Sequence, residues 1–140
     1  MSGYSATPLI KKLGIKSDSE IIFIDAPAGF ISELNISQTK KISSRDISMI
    51  DHTSKKFDYV HFFTKDNTSL EKIFSGLKLI LEKDGSLWIS WPKKSSGVKS
   101  DLDENIIREI GLRAGLVDVK VAAIDGTWSG LKFVYRKIDR

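Results

Sequence analysis

Four short segments hold the residues with chemistry to offer: Asp25-Ala26-Pro27-Ala28-Gly29, His61 to Lys65, Pro92 to Gly97, and Asp125 to Trp128. The third is the most explicit. Lys93, Lys94, Ser95 and Ser96 bring two positive charges and two hydroxyls, and Gly97 follows before a helix start, a composition suited to phosphate or carboxylate. A solvated loop is the plainer reading of the same residues. Asp25 can accept hydrogen bonds from a ligand hydroxyl or amine, beside the small residues Ala26 and Gly29, but a carboxylate at a strand end also caps its own loop. His61, in an aromatic run, is read as a hydrogen-bonded core histidine before a general base, because no carboxylate pair at acid/base spacing accompanies it. His52, beside Asp51, reads as solvated. Trp91 and Trp128 close the set: a tryptophan beside a polar, glycine-flanked turn exposes a costly ring unless neighbouring loops, a partner chain or a flat ligand covers it. Packing is the preferred account of both rings, and Trp88, in mid-strand, reads as core.

Other chemistries lack a motif. There is no nucleoside-triphosphate loop, Ser/His/Asp elbow or carboxylate pair. With no cysteine, disulfides, thiolate zinc sites and cysteine nucleophiles are excluded, and two histidines do not make a typical zinc site.

The elements that must position these residues alternate. Thr7 and Pro8 open a short helix that Gly14 ends. Ile21-Ile22-Phe23-Ile24 is an unbroken apolar run, as in a strand buried on both faces. Phe30, Ile31 and Leu34 continue as a helical turn, Lys40 to Ser43 fits a short edge strand, and Asp46 to Met49 is ambiguous. Phe57 to Phe63 reads as a strand. Ser69 then caps a helix carrying Leu70, Ile73, Phe74, Leu77 and Leu81, which Asp84-Gly85 ends. Leu87 to Trp91 is the next strand, and Asp101 starts a helix with Ile106, Ile107, Ile110 and Leu112 that Gly115 closes. Val119 to Ile124 and Leu131 to Tyr135 are strands joined by a turn short enough for a hairpin and too short for a parallel crossover. This order implies an α/β fold in three layers, Rossmann-like, with a mostly parallel sheet ending in an antiparallel hairpin. Ligands of such sheets sit beyond the carboxyl ends of the strands, where all four segments are expected to meet.

The 140 residues allow one domain, 1–140, and with 41% hydrophobic residues it can bury a core. No apolar run approaches the roughly 18 residues of a membrane span, so no membrane partner and a cytoplasmic setting are expected. The net charge of +4 is spread along the chain, and lysine outnumbers arginine, so a nucleic-acid partner is disfavoured.

Three stretches resemble the S-adenosylmethionine-dependent methyltransferase superfamily, whose sheet also ends in an antiparallel hairpin. Lys56-Phe57-Asp58-Tyr59-Val60 is similar to the segment leading into its fourth strand. Leu77 to Ile89 resembles its helix, glycine-containing turn and fifth strand, and Ile107 to Val121, with Arg113-Ala114-Gly115-Leu116, its last helix and following strand. Together they cover the C-terminal 85 residues. The whole chain, from Gly3-Tyr4-Ser5 through Trp91-Pro92-Lys93-Lys94-Ser95-Ser96-Gly97 to Thr127-Trp128-Ser129-Gly130, is also similar to a family of small bacterial domains of unknown function.

The first resemblance implies an S-adenosylmethionine site behind the first strand, with Asp25 as its acid and Gly29 as one of its glycines. Pro27 and Ile31 stand where other glycines of that motif belong. Between Leu34 and Phe57 lie 22 residues, room for one strand where the complete fold has two strands and two helices. The expectation is therefore a truncated methyltransferase-like domain. It would bind a small anionic or nucleotide-like ligand, or a degenerate form of the cofactor site, with methyl transfer its only candidate reaction. The rival expectation is a non-catalytic protein-interaction module, compatible with a homodimer.

Overall fold

In a computed structural model of the protein, residues 8–16, 18–34, 42–45 and 56–140 are described. Thr7, Lys40, Lys41, Asp46 to Met49, Asp51 and His52 fall outside them, so the expectations placed on those positions do too.

Helix α1, Leu9–Leu13, begins behind Pro8 and ends at Gly14, whose φ of 80° is the left-handed conformation glycine adopts without a Cβ clash. Strand β1, Ile21–Ile24, is buried at all four positions, as its unbroken apolar run requires. Helix α2, Phe30–Leu34, buries Phe30 and Leu34. Strand β2, Ile42–Arg45, pairs parallel to β1, with Ile21 opposite Ile42, and so includes Ile42 and Ser43 of the expected Lys40 to Ser43 and runs on to Arg45.

Strand β3, Phe57–Phe63, leads into helix α3, Asn67–Leu79. The cap of α3 is Asp66 and not Ser69: the Asp66 carboxylate accepts from the backbone N–H groups of Thr68 and Ser69 and from the Ser69 hydroxyl, which holds its pKa below the usual carboxylate value. The helix also stops before Leu81, which opens strand β4, Leu81–Pro92. Phe57 pairs with Leu81 and Tyr59 with Ser86, so residues 82–85 bulge out opposite Asp58 alone. Asp84-Gly85 is thus a bulge inside a strand, where a Cβ on Gly85 would stand 2.7 Å from the Asp58 carbonyl oxygen.

Helix α4, Glu104–Arg113, is capped by Asp103, whose Oδ1 accepts from the Ile106 N–H at 2.9 Å. The expected cap, Asp101, instead accepts from the Asn67 N–H at 2.8 Å and joins the two helix starts. Strands β5, Leu116–Ala123, and β6, Trp128–Tyr135, complete the chain's hairpin, each starting three residues earlier than expected because Leu116 and Val117 pair with Tyr135 and Val134, and Ser129 and Gly130 with Ala123 and Ala122.

The six strands lie in the order β2-β1-β3-β4-β6-β5; the first four are parallel, and β6 runs antiparallel to both β4 and β5. Two cores sandwich this sheet. On one face Leu70, Phe74 and Leu77 of α3 and Ile107 and Ile110 of α4 pack on Val60, Phe62, Leu87, Ile89 and Phe133. On the other, Leu13 of α1 and Phe30 and Leu34 of α2 pack on Phe23, Tyr59, Phe63 and Trp88. This is the expected three-layer α/β fold with an antiparallel hairpin at its end. No described helix is long and apolar enough to cross a membrane.

Candidate functional site at the carboxyl edge

The chain leaves β1 toward β2 on one side and reaches β3 on the other, so the strand order reverses between β1 and β3. At such a switch point adjacent exit loops diverge and leave a crevice beyond the strand ends. Residues 25–29 are the exit loop of β1 on that edge. Asp25 has φ 56° and Gly29 φ 81°, both left-handed, and together they reverse the chain so that the Phe30 N–H donates to the Pro27 carbonyl at 3.1 Å and starts α2. Asp25, Ala28 and Gly29 are exposed, while Ala26 packs against the core under α2.

The other exit loops are joined through main-chain atoms. The Thr64 N–H donates to the Ser90 carbonyl at 3.0 Å, and the Lys93 N–H to the Thr127 carbonyl at 2.8 Å. Lys65 offers its carbonyl to the Ser100 hydroxyl at 2.8 Å. The β3 exit, the lysine-serine loop and the β5–β6 turn therefore share one edge. Lys94–Ser96 is a single 3-10 turn closed by Gly97 at φ 78°. Within it the Ser96 hydroxyl donates to the Lys93 carbonyl at 2.6 Å and accepts from the Val98 N–H, so Ser96 organises the loop, whereas Lys94 and Ser95 are exposed. Asp125 holds the final turn by accepting from the N–H groups of Thr127 and Trp128, both at 2.8 Å.

Two expected members lie elsewhere. His61 is completely buried in the middle of β3, opposite Phe23 and Trp88. Its Nδ1 meets the Tyr59 hydroxyl at 2.9 Å, its Nε2 meets the Ser90 hydroxyl at 2.6 Å, and its ring stacks on Phe63. Burial pushes its pKa from 6.5 down to about 3, so it is a neutral core histidine and not a surface ligand. Trp91 is only 7% exposed and packs in the core beneath α3 and α4. Trp128 pairs with Pro92, one rung from the Trp91–Ser129 pair, and so projects to the opposite face, where its half-buried ring meets Phe63 edge-on at 5.3 Å. The two indoles do not form one wall, because strand alternation separates them.

The lysine-serine loop, with Lys93, Lys94, Ser95 and Ser96, is tied to the Trp128 turn, Asp25, Ala26 and Gly29 lie at the end of β1 on the same sheet edge, and His61 and Trp91 are buried away from it. The sequence reading missed the Tyr59-His61-Ser90 chain as a unit. The spacing of Tyr59 and His61 by two was its visible signal; Ser90, on another strand, had none. Among the described residues no group of His, Asp or Glu is arranged to hold a metal ion.

The fold is that of S-adenosylmethionine-dependent methyltransferases. A methyltransferase of this kind from Aquifex aeolicus superposes with a TM-score of 0.66 at 14% identity, over 89% of this chain and 86% of that one. The N-methyltransferase NodS from Bradyrhizobium japonicum gives 0.65 at 15%, over 92% and 93%. Magnesium protoporphyrin IX methyltransferase from Synechocystis, with bound SAH, gives 0.62 at 13%, over 91% and 78%. No family model matches the chain, and neither does any curated protein.

Proposed function

We propose that this methyltransferase-like domain binds a small anionic or nucleotide-like ligand at the carboxyl edge of its sheet and does not use S-adenosylmethionine as a methyl donor. What supports the reading is the bond from the Lys93 N–H to the Thr127 carbonyl, which ties the lysine-serine loop to the Trp128 turn at the same sheet edge as the β1 exit loop and the β1/β3 switch point. Lys94 and Ser95 offer a charge and a hydroxyl to an anion, Lys93 adds a second charge, and the Trp128 ring offers a flat apolar surface.

The first-strand loop argues against the cofactor. Pro27 has no N–H, and the Phe30 N–H is engaged by the Pro27 carbonyl, so two backbone donors are withdrawn from any ligand. Gly29, at φ 81°, is required by the turn itself.

Titration calorimetry and tryptophan fluorescence test this reading, with adenosine monophosphate and S-adenosylmethionine as ligands. Adenosine monophosphate is expected to quench Trp128 and to bind the Lys93→Ala/Lys94→Ala variant at least tenfold more weakly. S-adenosylmethionine is expected to give no saturable heat at millimolar concentration. A low-micromolar dissociation constant for it would overturn the proposal and restore the enzyme.

A further inference from the structure

Lys120 and Lys132 stand directly opposite each other in the β5–β6 ladder. Like charges at opposed positions of an antiparallel pair repel, and a local rule broken in this way is most often broken at a functional site. Both ammonium groups reach the end of α1. The Lys120 Nζ donates to the Lys12 carbonyl at 2.7 Å, and the Lys132 Nζ lies 3.5 Å from where a Cβ on Gly14 would stand. Cations do favour a helix C-terminus, but α1 has five residues, and its last turn already carries Lys11 and Lys12. Lys16 follows on the next loop. Burial, then the charges of Lys120 and Lys16, push the Lys132 pKa down.

Counter-charge is unevenly placed around this helix end. Among the described residues none of Lys11, Lys12, Lys16, Lys120 and Lys132 forms an ion pair. Asp18, Asp58 and Asp84 line the hollow that Lys16 and Lys132 share, and the Asp58 carboxylate is engaged by the Glu20 N–H. The neighbouring hollow, between α1 and β5, has no carboxylate among the described residues of its lining, which are Lys11, Lys12, Lys120, Val121, Ala122 and Ala123, around a volume of about 640 Å³. The hollow is open to solvent, so a ligand there would be held by charge and not by enclosure. Ammonium groups act on phosphate as compact point charges, whereas planar carboxylate recognition favours the guanidinium fork.

We propose that the hollow between α1 and β5 is an anion site for a small phosphate-bearing molecule, with Lys11, Lys12 and Lys120 contacting the phosphate. The charges converge on one helix end and do not run along a face, which favours a small ligand over a nucleic-acid strand. This site does not include Lys93 or Lys94, so it stands or falls apart from the carboxyl edge.

Calorimetric titration of the full chain with inorganic pyrophosphate at fixed ionic strength is the test. Saturable binding is expected, weakened at least tenfold in Lys11→Gln/Lys12→Gln and unchanged in Lys93→Ala/Lys94→Ala. The first variant keeps the Lys120 bond, which uses the Lys12 main chain, and a circular dichroism melt checks its fold. Should that variant unfold, Lys11→Gln alone, at an exposed position, is expected to weaken binding severalfold. Absent binding, equal affinity in parent and α1 variants, or loss confined to the Lys93/Lys94 variant would overturn the site. Binding of a short oligothymidylate without binding of pyrophosphate would overturn it too, in favour of a nucleic-acid face.

Discussion

The Nε2 of His61 lies 2.6 Å from the Ser90 hydroxyl oxygen, both groups fully buried, and the imidazole is held neutral between Ser90 and Tyr59. Burial lowers its pKa from 6.5 to about 3. As pH falls below 6.5 the unfolded chain takes up a proton that the folded chain refuses. The stabilisation is therefore complete above 6.5 and is lost progressively toward pH 3, with a ceiling of roughly 5 kcal/mol. Urea unfolding between pH 7 and 5, above most carboxylate titration, should show stability falling with pH. His61→Gln should be less stable at pH 7 yet flatter across that window, and equal slopes would refute the assignment.

Trp128 is half-buried against Phe63, between a surface residue and a core one. Trp128→Ala should lower stability by about 2 kcal/mol, less than the 3–5 kcal/mol of a fully buried aromatic. Equal urea slopes for the two proteins are needed for that comparison. A loss as large as the fully buried case would make the ring purely structural and remove it from the ligand edge.

Gly111 is the contact point of α4 with the sheet: a Cβ there would come within 2.1 Å of the Phe133 ring. Gly111→Ala should destabilise by about 1–3 kcal/mol despite alanine's better helix propensity, because the ring or the helix must move. Leu112→Ala, at the exposed neighbour, should change stability little. A neutral or stabilising Gly111→Ala would show that α4 sits farther from β6.

The Trp88 indole N–H donates to the Leu13 carbonyl at 3.0 Å and fastens α1 to the sheet. Trp88→Phe keeps an aromatic ring but leaves that buried carbonyl without its partner, at a cost of about 1–3 kcal/mol. Hydrogen exchange of α1 should accelerate more than that of α3 or α4. Uniform acceleration would mean that α1 has no separate attachment.

Apolar runs made much of the fold legible. Ile21 to Ile24 and Phe57 to Phe63 read as strands because all their positions but Asp58 are buried, and the hairpin followed from a turn too short for a crossover. Helix ends were less legible. Asp66 and Ser69 are both good caps, as are Asp101 and Asp103, and the choice lies in tertiary hydrogen bonds such as Asn67 to Asp101. Leu81 continued a helical period while belonging to a strand, since its pairing with Phe57 is set across the sheet. For the edge, the loops could be assigned from strand order alone. Which way Trp91 and Trp128 face depends on the register of β4 against β6, and that parity is not written in the turn. The opposition of Lys120 and Lys132 was hidden for the same reason.

The loops at the carboxyl edge are tied to one another by amide-to-carbonyl bonds, Thr64 to Ser90 and Lys93 to Thr127. Bonds of that kind make no demand on the side chains borne by the same residues. Lys93 and Thr127 can therefore be exchanged while the spacing of the loops is kept, whereas Ser90 is fixed by its hydroxyl bond to His61 and Thr64 by the Asp66 N–H it accepts. The edge is thus a mounting whose fittings are interchangeable, and new specificities could be selected on it by substitution alone, without first rebuilding the backbone that presents them.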